Sequence, residues 1–285
     1  AVKASTEFNK SMSGVSAVAG ATAAEMSQLR EAALQAGADT VFSASEAATA
    51  QGELAKAGVS VADILGGALA GSLGLAAAGQ LDLGQAAEIS AQALNIFGLA
   101  GDQTTRVADT LAAGANKSAA DVAQLGDALR QGGLLAAQTG LTLEETTGVL
   151  SLFADNALIG SDAGTSLKTM LQRLAPSTGP AADAMRELGL DFFDAQGAFV
   201  GIEEVAAQLQ DRLGGLSDEQ RQTALTTIFG SDAVRGASIL MEGGAAAVEE
   251  YTAAVTDQGA AARMAAEQLN NLAGDVEQFK GSVET

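Results

Sequence analysis

One device recurs along this chain and limits what it can fold into. A hydroxyl-bearing residue is followed three positions later by Glu or Gln, just ahead of an apolar run. It stands at Thr22-Ala23-Ala24-Glu25, Ser43-Ala44-Ser45-Glu46, Thr142-Leu143-Glu144-Glu145 and Ser217-Asp218-Glu219-Gln220. In such a capping box the hydroxyl accepts from the N3 amide and the Glu or Gln reaches back to the cap amide, so each string marks a helix start. Glycine closes the runs that follow, as at Gly37, Gly58 and Gly98, where it suits the left-handed C′ position. Asp82 caps a further helix with Ile89, Ala93, Ile96 and Phe97 on one face, and Asp102, Ser118, Ser161 and Ser231 open others. The fold class that follows is all-α: a compact set of short, glycine-terminated helices.

Composition agrees with that reading. The 285 residues include 34 Gly but only 2 Pro, and 47% of the chain is apolar, so glycine reads as helix punctuation and not as disorder. Gly132-Gly133 is accordingly expected to break the helix opened at Ser118. Pro176 and Pro180 form a stop followed by a restart, which places a boundary there. The expected organisation is a helical core over 1–175, a second helical subdomain over 176–243, and a long helix over 244–285. Within the second, Leu190–Val200 sets aromatic and apolar residues about Gly197, a pattern for a small β-hairpin near 190–201.

Two segments offer surfaces. From Ile64 to Leu81 there are 18 residues without a charge, and Gly67-x-x-x-Gly71 has the small-residue spacing of closely packed helices. Ile64, Gly67, Gly71 and Leu75 mark this membrane-length helix. Asp63 and Asp82 stand at its ends and no aromatic belt flanks it, which favours a buried helix over a membrane span. The second surface is an apolar run at spacings of three and four from Val248 through Tyr251, Val255, Gln258, Ala262 and Ala265. It is strongest at Leu269, Leu272, Val276, Phe279 and Val283. Either it starts a coiled coil, a self-association seam suited to a homo-oligomer such as a trimer, or it packs back on its own domain. The seam still runs at Thr285, so the helix is expected to continue, and a chain that opens Ala1-Val2-Lys3 is expected to be either a processed product or a piece of something longer, without a secretion signal.

Chemistry is conspicuously thin. The chain has no His and no Cys, which removes thiol chemistry and the usual catalytic base and metal ligand. The pairs Glu144/Glu145, Glu203/Glu204 and Glu249/Glu250 lie in first helical turns or on polar faces, where the helix dipole and solubility account for them. Lys117 or Lys168 could in principle partner a serine, but no spacing supports it. Gly66-Gly67 and Gly132-Gly133 lack the lysine of a phosphate loop, and Asp191/Asp194 lacks the remaining ligands of a calcium loop, which leaves turn chemistry. No cofactor or metal is expected, and no enzymatic activity. At a net charge of −20 the chain should repel nucleic acid, so specific DNA binding is not expected.

Several strings carry a resemblance. Phe42-Ser43-Ala44-Ser45-Glu46-Ala47-Ala48, Ala57-Gly58-Val59-Ser60 and Leu75-Ala76-Ala77-Ala78-Gly79-Gln80-Leu81-Asp82-Leu83 come first. Phe97-Gly98-Leu99, Gly140-Leu141-Thr142-Leu143-Glu144-Glu145-Thr146, Ala163-Gly164-Thr165-Ser166-Leu167, Leu188-Gly189-Leu190 and Ile228-Phe229-Gly230-Ser231-Asp232-Ala233 follow in order. Together they are similar to the core region of phage tail tape measure proteins, over roughly Ala4 to Gly243. The resemblance implies a mostly helical virion structural protein in the tail tube lumen that sets tail length and leaves ahead of the DNA at infection. It implies the tail tube protein, distal tail or tail tip proteins and tail assembly chaperones as partners, with assembly in the host cytoplasm. It also implies a passage through the host envelope and contact with the host membrane on ejection. The alternatives that the residues leave open are a membrane-active helical protein and a bacterial helical adaptor.

Overall fold

A computed structural model gives the fold of residues 2–176 and 178–268. Fourteen α-helices run through residues 2–254, a further helix starts at Ala260, and none of the described residues forms a named strand. All four expected capping boxes are present, at Thr22, Ser43, Thr142 and Ser217. The described residues fold as two compact units, the first up to Ala112 together with residues 258–268, the second Ala113–Asp257.

The first unit opens with α1 (Val2–Ala19), α2 (Ala23–Asp39) and α3 (Ala44–Lys56). There follow α4 (Val61–Asp63), a π-turn at Ile64–Ala68, α5 (Leu69–Gly79), α6 (Leu83–Phe97), a 3₁₀ turn at Gly101–Gln103 and α7 (Thr104–Lys117), on which the unit boundary falls. Helix α3 is the centre, packed against α1, α2, α5 and α6. Its inward face is made of Ala47, Ala48, Ala50 and Leu54, all without exposed surface. Gln51 is also fully buried there, and its Nε2 donates to the Leu29 carbonyl at 2.9 Å. Gly37 does not end α2, which continues to Asp39. A Cβ on Gly37 would stand 2.5 Å from the Ala44 amide nitrogen, so this glycine admits the entry to α3 instead.

The second unit contains α8 (Val122–Thr139), α9 (Leu143–Asp155), α10 (Gly160–Gln172), α11 (Pro180–Leu188), α12 (Ile202–Leu213), α13 (Asp218–Phe229) and α14 (Val234–Ala254). Helix α8 packs on α9 and α10, and α14 packs on α9, α10, α12 and α13. Phe153, Phe192 and Phe229 fill the interior. The expected break at Gly132-Gly133 is absent, because α8 runs straight through it. A Cβ on Gly132 would lie 2.5 Å from the Gly164 carbonyl oxygen on α10, and a Cβ on Gly164 would strike the Ala128 carbonyl. The glycines let two helix backbones touch, a gain that outweighs the roughly 1 kcal/mol glycine costs inside a helix. The helix also starts later than expected, capped by Asp121 in a box with Gln124 and not by Ser118.

Both expected boundaries, at 175/176 and 243/244, fall inside the second unit. Pro180 does begin a helix, at its first turn. At Gly244 α14 is kinked (φ 62°), and Gln210 of α12 donates from Nε2 to the Glu242 carbonyl at 3.3 Å. The expected hairpin reduces to one antiparallel bridge, Phe193 to Phe199, with the ring centroids 6.0 Å apart. Asp194 Oδ1 accepts from the amides of Gln196 (2.9 Å) and Ala198 (2.8 Å), so the turn consumes the residues a longer ladder would need.

Candidate functional site

The apolar segment Val61–Gly79 is the one helix among the described residues long and apolar enough to cross a membrane, with a mean hydropathy of 1.6 and 50% of its window buried. Ile64, Gly71 and Leu75 are buried, and Leu65, Gly66 and Ala70 face outward. The helix is not regular. Leu69 donates its amide to the Ile64 carbonyl, an i to i+5 bond, and Gly67 inside this turn has φ 150° and ψ −18°, outside helical space. A Cβ on Gly71 would stand 2.7 Å from Thr104, so the Gly67-x-x-x-Gly71 spacing serves a bend and a close helix crossing.

The apolar seam divides differently. Leu269, Leu272, Val276, Phe279 and Val283 lie outside the described residues. Upstream of them the continuous helix expected from 244 is interrupted, since α14 ends at Ala254 and Gly259 sits at φ 77°. The next helix is capped from a distant element. Asp109 of α7 accepts the amides of Gly259 through Oδ2 (2.8 Å) and Ala261 through Oδ1 (3.1 Å). Glycine at the break and a carboxylate at the restart are strong enough to override a weak heptad run whose middle is alanine.

The ionisable groups do structural work. In the second unit Tyr251 donates to Asp155 Oδ2, Asp155 Oδ1 accepts the Ala119 amide at 2.8 Å, and Lys117 Nζ meets Glu250 at 2.5 Å. Lys117 also lies 4.7 Å from the centre of the Tyr251 ring. Burial first, then the Asp155 hydrogen bond and charge, push the Tyr251 phenol up to about 12, so it stays protonated and acts as a donor. Glu25 is held below the ordinary carboxylate range by the Thr22 amide first and the Thr22 hydroxyl second, both parts of a helix cap. Asp191 and Asp194 accept local backbone amides, which agrees with turn chemistry. Among the described residues no group of three or more acidic side chains converges as a metal site would require. A cleft of about 450 Å³ in the second unit is lined by Leu174, Met185, Phe192 and Phe193 together with Arg186 and Asp191, a mixed apolar and polar wall.

Comparison with known proteins supplies what this geometry lacks. The phage-related minor tail protein family matches residues 30–230. The chain belongs to that family. The chain is 37% identical over its whole length to the tape measure protein of Pneumococcus phage Dp-1, of which it covers 25%. It is 33% identical, over 98% of its length, to the probable tape measure protein of Escherichia phage P2, of which it covers 35%. The chain thus spans a quarter to about a third of these relatives. No solved structure matches it. Sequence reasoning missed the Asp109 cap and the Tyr251–Asp155 contact, because both join residues far apart in the chain and leave no local pattern.

Proposed function

We propose that this chain is the folded core segment of a tape measure protein, which sets tail length during assembly, occupies the tube lumen and leaves ahead of the DNA. The observation that carries this reading is the end-to-end similarity to the Dp-1 protein. Helices without disulfides, held by small apolar cores, can unfold to pass a narrow tube, and a net charge of −20 limits adhesion to the following DNA. The segment works as a structural part and not as an enzyme. Its partners are the tail tube protein, distal tail or tip proteins and assembly chaperones in the host cytoplasm, and the Leu269–Val283 seam associates copies, as a trimer for instance. Cryo-EM of tails carrying an in-frame deletion elsewhere in the full-length gene tests the ruler role. Tails should shorten by about 1.5 Å per helical residue removed; unchanged length would overturn it.

A second reading rests on the length and apolarity of Val61–Gly79. The same segment, once unfolded by ejection, inserts through Ile64–Leu81 into the host membrane. Flotation of the acid-unfolded chain with liposomes should then carry protein to the lipid fraction. A wholly soluble chain would sink this reading alone.

A further inference from the structure

The irregular helix has a regular counterpart in the same chain. Ala68-Leu69, Leu75-Ala76-Ala77 and Leu81-x-Leu83 recur as Ala128-Leu129, Leu135-Ala136-Ala137 and Leu141-x-Leu143, with 128 − 68 = 60 residues between equivalents. The structure repeats along with the letters. Gln80 (φ 51°) and Gly140 (φ 99°) end their helices in the left-handed region. The amide of Leu81 donates to the Ala76 carbonyl and that of Leu141 to the Ala136 carbonyl, both at 2.9 Å. Asp82 and Thr142 then cap the next helix, with Leu83 and Leu143 both 1% exposed behind them. Those second helices close with the same bond one residue out of that register (158 − 99 = 59), through Leu99 to Leu94 at 2.8 Å and Leu158 to Phe153 at 3.0 Å. In each set the first helix meets the third at a glycine, Gly71 against Thr104 and Gly132 against Gly164; Thr104 and Gly164 are 164 − 104 = 60 apart, whereas the glycines are 132 − 71 = 61 apart, one position off that register.

Ahead of the π-turn the spacing changes. The caps Ser60 and Asp121, and Val61-Ala62 and Val122-Ala123 behind them, are 121 − 60 = 61 apart. The first set therefore has one residue more than the second between its cap and its Ala-Leu pair: eight steps from Ser60 to Ala68, seven from Asp121 to Ala128. The extra residue falls inside the π-turn Ile64–Ala68, where Gly67 leaves helical space. A π-turn is how a helix absorbs one surplus residue without rotating the face that follows it.

We propose that residues 60–111 and 121–171 are two copies of one three-helix unit, and that the π-turn Ile64–Ala68, marked by the non-helical Gly67, holds a single-residue insertion. It bends the apolar helix of the first copy and makes it the point where that copy opens. In an uninterrupted buried helix, loss of one residue turns everything beyond it by about 100° and drives the apolar face out of the core. At an insertion the same loss restores the register.

Deletion of Gly67 from the whole chain is therefore expected to leave a cooperatively folded protein with Tm within about 5 °C of the parent. Amide exchange over 60–68 should slow about tenfold as regular helical bonds replace the bend. Deletion of Asp127 at the equivalent place in α8 should abolish cooperative unfolding, and one glycine added after Asp127 should be absorbed as a new π-turn. The proposal is overturned if loss of Gly67 is as damaging as loss of Asp127, if both losses are tolerated, or if exchange over 60–68 is unchanged or faster.

Discussion

The two units reach the same helical architecture with different interiors. Around α3 the first unit buries alanines and single leucines, and among its described residues Phe8 is the buried aromatic, 9% exposed. The second unit buries Phe153, Phe192 and Phe229, none more than 1% exposed, with Leu167, Met170 and Leu240 around them. Alanine interiors bring backbones close but bury little apolar surface per residue, at about 25 cal/mol per Å². The difference teaches that one chain can hold a weakly and a strongly stabilised unit with the same capping chemistry. The first unit should open earlier.

Five substitutions can break or sharpen that contrast. Phe153→Ala should have the largest effect, about 3–5 kcal/mol, seen as loss of exchange protection within Ala113–Asp257. If protection around α3 fell instead, the independence of the two interiors would be refuted. Gly132→Val forces α8 and α10 apart and should cost about 1–3 kcal/mol or more by urea unfolding. An unaltered midpoint would mean that the Gly132–Gly164 contact has no energetic weight. Tyr251→Phe removes the donor to Asp155 and should cost about 1–2 kcal/mol, with faster exchange at the Ala119 amide. Ser43→Ala and Thr142→Ala remove equivalent caps and should each cost about 1 kcal/mol. The Ser43 variant should shift the first, earlier transition and the Thr142 variant the later one.

The smallest effect is that of pH. The phenol of Tyr251 is raised in the folded chain, so its stabilisation is complete below the unfolded value near 10 and is lost as pH rises towards about 12. Alkaline unfolding should therefore begin in the second unit and be blunted in Tyr251→Phe. Glu25 is lowered, so its contribution is present above the ordinary glutamate range and fades as pH falls through its folded value. Acid melts of Glu25→Gln should show a slightly reduced dependence on pH, read from α2 exchange.

Much of this was legible. Ser43 and Glu46, or Thr142 and Glu145, lie within one helical turn of each other, so the bonds between them follow from sequence spacing alone. Gly98, Gly140 and Gly189 ended helices as glycine should. Gly37 and Gly132 did not, because what makes them glycine is a backbone brought close by the fold, Ala44 for one and Gly164 for the other. The heptad run from Val248 reads as continuous until Asp109, some 150 residues away, is seen to cap a new helix after Gly259.

By itself, then, the sequence determined that the chain is helical, where most helices begin, that it carries no histidine or cysteine chemistry, and which family it resembles. Each of these depends on residues within a turn of one another or on composition. Only the tertiary structure decided which glycines punctuate and which pack, where the units divide, and that the membrane-length helix is bent at Gly67. Those outcomes depend on contacts between distant segments, whose distances no local spacing encodes.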